Sequence, residues 1–199
     1  MENLLRHYDR LVEENNDPFR DPPALREYMN RWDGDAFLSL LSLTPEARVL
    51  EIGVGTGRLA GRVLRHCARL TGIDCSPRSL ERCRENLRDS DRLTLVLGDF
   101  LTWYSPEKFD RIYASLTFWH FQDKRAAVQK AASLLAPGGR LVLSLGKNCE
   151  KSLRCFDGLE IPLYPDDPIY TINLLREAGL HPLPLQETEF AWLVAAEAK

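Results

Sequence analysis

The sequence predicts one α/β domain: a doubly wound, mostly parallel sheet of seven strands that closes with an antiparallel C-terminal hairpin. Three observations predict it. Strand-like and helix-like segments alternate from residue 47 to residue 146, the pattern of a parallel sheet built by right-handed crossovers. "RVLEI", "LTLVLGDF" and "RLVLSLG" are nearly unbroken apolar runs, as expected of strands covered on both faces. The chain has 199 residues, enough for one domain with such a sheet.

The elements follow in order. Leu4, Leu5, Tyr8, Leu11 and Val12 recur at helical spacing, so the amino end reads as an amphipathic helix. The segment 15–23, "NNDPFRDPP", is a breaker-rich loop, and 33–43 a second short helix. Residues 1–45 thus form a helical lid on a core spanning 46–199. Strand 47–52 leads through a glycine turn into a helix over 57–67. Strand 69–74 precedes a helix over 76–87, with Ser76 as N-cap and Pro77 in the first position. Strands at 93–100 and 109–116 precede a helix over 124–136. Pro137-Gly138-Gly139 makes a tight turn into a strand at 140–146. Beyond a Pro-rich stretch lies a helix near 168–178, opened by Asp167-Pro168, and "LPLQETEF" with "AWLVAAEA" forms the final pair.

Charge and cysteine usage narrow the function. With 26 basic and 29 acidic residues the net charge is −3, so no overall field draws the chain to nucleic acid or an anionic membrane. No stretch approaches the roughly 20 apolar residues of a membrane span, and no secretory leader is visible. The helices over 57–67 and 76–87 are rich in arginine, but Glu81, Glu85, Asp89 and Asp91 are interleaved, so a surface paired at i,i+4 is expected rather than an RNA platform. Five cysteines form no C-x-x-C pair, which points to reduced thiols in a cytoplasmic protein without a metal.

In open parallel sheets ligands bind at the carboxyl ends of the strands, near the switch in strand order. That directs attention to 53–57, 74–75, 99–100 and 115–120. "VLEIGVGTGRLA" places Gly53, Gly55, Thr56 and Gly57 directly after a strand that ends with a carboxylate, Glu51. A glycine turn between strand and helix brings backbone N–H groups close to a ligand, suiting a pyrophosphate or an amino-acid carboxylate. A dinucleotide fingerprint started at Gly53 fails at Arg58. Started at Gly55 it fits the variant with Ala60, but two residues beyond the strand. Asp74 lies 21 residues after Gly53, near the spacing of a ribose-binding acid.

"VLEIGVGTG", "GID" (72–74), "GDF" (98–100) and "LLAPGGRLVLSL" (134–145) resemble, in order and spacing, the motifs of class I S-adenosylmethionine-dependent methyltransferases, which have a Rossmann-like fold. The amino-terminal aromatic helix and "SLTFWHF" are similar to bacterial small-molecule enzymes of the ubiquinone-biosynthesis-like type. The resemblance implies S-adenosyl-L-methionine as cofactor. It places Glu51 near the methionine ammonium, Gly53, Gly55, Thr56 and Gly57 along the methionine and ribose, and Asp74 on the ribose hydroxyls. It sets Cys75 against the adenine, Asp99 on its amine, Phe100 on its ring, and the backbone at Ser115 by the methionine end.

Tyr8, Tyr28 and Trp32 are candidates to face the sulfonium by cation–π attraction. His120 is the candidate base, against the alternative that it satisfies a backbone group near a helix start; Phe118 and Trp119 either line an acceptor pocket or pack. The fourth strand lacks the Pro-Pro-Tyr or Pro-Cys sequences of nucleic-acid base methylation. Nor does it place a metal-binding acid near Ser115. The expected protein is a metal-independent methyltransferase for a small-molecule acceptor, monomeric or homodimeric, with no nucleic-acid or membrane partner. A nicotinamide-dependent oxidoreductase and a non-catalytic regulatory domain that binds the nucleotide are the alternatives.

Overall fold

The computed structural model describes residues 2–88, 90–155 and 158–199; Asp89 lies outside them. The sheet forms in the order β3 (Leu93–Leu97), β2 (Arg69–Asp74), β1 (Arg48–Ile52), β4 (Phe109–Ala114), β5 (Leu135–Gly146), β10 (Ala191–Glu197) and β8 (His181–Pro182), with β9 (Gln186–Glu187) also paired to β10. Strands β1, β2, β3, β4 and β5 run parallel. Strand β10 is antiparallel to β5. The order reverses between β1 and β4, so a crevice opens above their carboxyl ends.

The sheet is sandwiched. Leu50, Ile112, Leu141 and Leu143 point to one face and pack with Val128 and Leu174 from α6 (Lys124–Leu134) and α7 (Pro168–Glu177). Val49, Tyr113, Val142 and Leu193 point to the other and meet Phe37, Val63 and Leu80. These come from α3 (Gly34–Leu41), α4 (Ala60–Val63) and α5 (Pro77–Asn86). Alternate residues of one strand serve opposite layers, as pleating requires. The expected caps form: Ser76 accepts from the Ser79 N–H at 3.0 Å, and Asp167 from the Tyr170 N–H at 2.8 Å.

Several local expectations change. The helix expected over 57–67 shrinks to four residues, because the glycine turn consumes its first segment. The outer strand of the C-terminal pair is split into β8 (His181–Pro182) and β9 (Gln186–Glu187), so the sheet counts eight strands instead of seven. Pro184 lies between them and has no N–H for the ladder. Pro137-Gly138-Gly139 is an outward bulge within β5, not a turn before it: Phe109 pairs with Leu135 and Arg111 already with Arg140. Two elements were unread in the sequence, helix α2 (Pro23–Asn30) and the hairpin β6 (Ser152–Arg154) with β7 (Glu160–Pro162).

The amino-terminal helix α1 (Glu2–Glu13) lies across the crevice. It ends at Asn15, which adopts a left-handed φ of 59°. Asp17 follows, fully buried, and accepts from Asn86 Nδ2 at 3.1 Å and Arg82 Nη1 at 3.2 Å. The same Asn86 amide donates to the Thr56 carbonyl at 3.0 Å. Arginine pairing also differs from the expected helix-surface pattern. Arg58, Arg62, Arg78 and Arg82 reach Asp33, Asp35, Glu13 and Asp17, all within residues 1–45, so these charges fasten the amino-terminal helices to the sheet domain.

Candidate active site

A cavity of about 900 Å³ occupies the crevice. Its floor is the glycine turn after β1. Gly53, Gly55 and Gly57 hold φ values of 75°, 53° and 96°, a region L side chains rarely adopt. The Gly53 and Gly55 N–H groups are anchored, at 2.8 Å to the Ile73 carbonyl and at 2.9 Å to Asp74 Oδ2. A β-carbon on Gly53 would collide with Thr117, whereas one on Gly55 would meet no atom within 4 Å. Gly55 therefore presents bare backbone to the cavity. Gly57 does not line it: a β-carbon there would meet Cys83 and Leu87 at 2.9 Å, so this glycine serves the packing of α5.

Two carboxyl groups flank the turn. Asp74 ends β2 and accepts from the N–H groups of Gly55 and Ser76, each at 2.9 Å. Its pKa is raised, chiefly by burial and against the pull of those N–H groups. Glu51 ends β1 and is 4% exposed. Its carboxyl is pushed up to about 8, burial outweighing the Tyr113 O–H, which donates to Oε2 at 2.6 Å. Arg58 acts on this carboxyl but does not offset its burial, so the site suits a ligand that brings a closer cation. Asp33, N-cap of α3, accepts from Arg58 Nη1 at 2.9 Å and from the Ser115 hydroxyl. Tyr113, Asp33 and Arg58 are missed by sequence reasoning, because their partners are 62, 82 and 25 residues distant. The turn after β4 holds Leu116 at a φ of 55°, a further residue on the wall in an uncommon conformation.

Farther along, Cys75, Asp99 and Phe100 line the end beyond Asp74. Burial and the neighbouring Asp74 push the Cys75 thiol up to about 11, so it is neutral there. Asp99 accepts from the Leu101 N–H at 2.9 Å, and Phe100 stands edge-on to Phe121.

Where α1 crosses the cavity, Tyr8 reaches down within electrostatic range of Asp74 and Cys75, its Oη 2.7 Å from His120 Nε2. His120 ends a 3-10 turn (Phe118–His120), and its pKa falls to about 4 through burial and the nearby His7 and Lys124. Trp119 donates its indole N–H to the same His120 Nε2 at 3.0 Å. Leu4, Ile161 and Tyr164 also line this part of the cavity. Trp32 and Tyr28 do not line the cavity. Trp32 packs edge-on against Trp119 and tilted against Phe190, and Tyr28 lies on Phe190 and under Arg31. Phe118 is buried in the core. Among the described residues no group of three His, Cys, Asp or Glu is placed to hold a metal, and no helix is long and apolar enough to cross a membrane.

The donor set fits an amino-acid nucleoside. Glu51 suits an ammonium, Gly55 leaves backbone open to a close ligand, and Asp74 keeps lone pairs for hydroxyl donors. Cys75 and Phe100 offer apolar surface to a ring. Fold and cleft together are similar to those of the class I S-adenosylmethionine-dependent methyltransferases.

Comparison with known proteins agrees. A family described as "Methyltransferase domain" matches residues 49–139, from the first glycine strand to the bulge in β5. Nodulation protein S of Rhizobium tropici is 33% identical over 135 residues, 61% of this chain and 57% of that protein. An uncharacterized methyltransferase of Geobacillus kaustophilus is 34% identical over 140 residues, 69% of this chain and 60% of its own length. The chain thus spans under two thirds of these relatives. Among solved structures, the N-methyltransferase NodS from Bradyrhizobium japonicum WM9, in complex with S-adenosyl-L-homocysteine, superposes with a TM-score of 0.76 at 25% identity, covering 98% of both chains. That neighbour was crystallised with S-adenosyl-L-homocysteine, and the magnesium protoporphyrin IX methyltransferase of Synechocystis PCC 6803, which shares the fold, with S-adenosylmethionine.

Proposed function

We propose that this protein transfers a methyl group from S-adenosylmethionine to a nitrogen or oxygen atom of a small, uncharged acceptor. The observation that carries the reading is one cavity joining the acid-flanked glycine turn to the Tyr8–His120 pair. The likeness to NodS, an N-methyltransferase, favours nitrogen. The cytosol is the proposed compartment, since all five cysteines are free thiols.

When bound, the cofactor supplies an electrophilic methyl group on a positively charged sulfur. Glu51 holds the ammonium end, Asp74 the ribose, Asp99 and Phe100 the adenine, and the backbone near Ser115 the methionine end. These contacts fix the methyl group's direction, and alignment of this kind contributes up to about 7–11 kcal/mol in well-oriented systems. Tyr8 presents its ring and oxygen to the acceptor, backed by His120. Burial keeps Tyr8 un-ionised, its pKa being raised, and keeps His120 uncharged above about pH 4. This part of the cavity therefore receives a neutral nucleophile and adds no cation to repel the sulfonium.

The test is single-turnover transfer from cofactor carrying a labelled methyl group into a metabolite extract, with binding of S-adenosylhomocysteine measured alongside. Labelled small-molecule product is expected. Tight binding without product would instead establish a regulatory binding domain.

A further inference from the structure

Trp119 packs behind the cavity, yet it makes a specific polar contact with a residue on its wall. Its indole N–H points at His120 Nε2 from 3.0 Å, while Tyr8 Oη approaches the same nitrogen at 2.7 Å. An indole nitrogen can only donate, and an imidazole nitrogen that accepts cannot carry hydrogen. We propose that Trp119 is a positioning residue that fixes His120 as the tautomer protonated on Nδ1, a nitrogen that is buried and meets no partner among the described residues, so that the indole N–H and the Tyr8 hydroxyl share the one lone pair of Nε2. The inference rests on the acceptor end assigned above.

Ring packing and the backbone set where the indole lies. Trp32 meets it edge-on at 5.9 Å between ring centroids. The Tyr164 N–H donates to the Trp119 backbone carbonyl at 2.8 Å. Gly146, at the end of β5, leaves the indole room: a β-carbon there would stand 2.8 Å from Trp119 Cζ3. A ring seated this firmly directs its N–H with little freedom.

The consequence reaches the substrate. With its hydrogen committed to His120, the Tyr8 oxygen turns its lone pairs to the cavity as an acceptor. It selects a nucleophile that still carries hydrogen, a primary or secondary amine or a hydroxyl, and orients it along that bond. A tertiary amine or a thioether offers nothing to that oxygen. Proton uptake at Nε2 would set a new N–H against the indole N–H, so the tautomer lock and the neutral state of His120 support each other. Other titratable groups near the pair are His7, and Lys124 with its partner Asp166, beside His120, and Asp74, Cys75 and Cys155 beside Tyr8.

Nitrogen-15 NMR of histidine-labelled protein reads the tautomer directly, without cofactor or activity. The wild type should show Nδ1–H for His120. Trp119→Phe keeps the ring, removes the N–H, and should give a mixture or Nε2–H. Tyr8→Phe should leave Nδ1–H intact. A wild type with Nε2–H, an unchanged tautomer in Trp119→Phe, or a flipped one in Tyr8→Phe would each overturn the proposal. In turnover, Trp119→Phe should lower kcat at least tenfold with cofactor affinity unchanged, and its acid limb should move up from about pH 4. These limbs fail with the methyl-transfer reading, whereas the NMR result stands or falls on Trp119 alone.

Discussion

Glu51 links the cofactor site to stability in a way that can be measured. Its carboxyl titrates at about 8 in the folded protein against an ordinary 4.5, burial being the first cause. At pH 7 it is protonated in the ligand-free fold and ionised in the unfolded chain. A group raised in this way costs nothing below pH 4.5, and its stabilisation is lost as pH rises toward 8. The slope in that window is about 1.4 kcal/mol per pH unit. Between pH 6 and pH 9, Glu51 should therefore remove about 3 kcal/mol of stability. Glu51→Gln preserves an acceptor for the Tyr113 hydroxyl and lacks the titration. The difference between the two proteins in urea unfolding at the two pH values isolates this contribution. An adjacent ammonium would lower the pKa again by about 1–3 units. S-adenosylhomocysteine binding at pH 7.5 should then release about half a proton or more from the wild type. Calorimetry in buffers of different ionisation enthalpy counts that proton. If both proteins respond identically to pH, the raised Glu51 carboxyl is refuted; if the wild type and Glu51→Gln release the same number of protons, the placement of an ammonium at Glu51 is refuted.

Other outcomes follow from the same geometry. Asp74→Ala should weaken S-adenosylhomocysteine binding by about 1–3 kcal/mol, read by calorimetry, because it strips an acceptor from ligand hydroxyls and from the Gly55 N–H. Gly53→Ala should destabilise the fold by about 1–3 kcal/mol in thermal unfolding, since its new methyl group meets Thr117 at a left-handed φ. His120→Ala should depress turnover at least tenfold while cofactor affinity stays within twofold; equal turnover would remove His120 from the acceptor end. Asp166→Ala leaves the Lys124 ammonium buried without the carboxylate now 2.6 Å away, and should cost about 3–5 kcal/mol of stability.

What could be read from the sequence follows from where its information is local. Ser76-Pro77 and Asp167-Pro168 specify helix starts by short-range geometry, and the structure keeps both. The apolar runs and glycine spacing specify β1, β2 and the turn between β1 and α4 for the same reason. Pro184 and the bulge at 137–139 depend on which partner strand lies alongside, and no window of sequence shows that. At the site, Glu51, Gly55, Asp74, Cys75, Asp99, Phe100 and Ser115 all reach the cavity. Their positions follow from strand ends. Gly57 and Trp32 resemble site residues in composition and neighbourhood, but packing against Leu87 and Phe190 claims them. Asp33, Arg58 and Tyr113 escaped notice because each acts through a partner distant in the chain.

The carboxylate of Asp17 gives the lid a mechanical character. It is gripped by two side chains of α5, one of which also grips the Thr56 carbonyl. Helix α1 is joined to this post by a short elbow whose Asn15 is already wound in the left-handed sense. One anchor thus serves two purposes: Asn86 holds the segment that follows α1 through Asp17 and the glycine turn through Thr56, so a change at Asn86 reaches both.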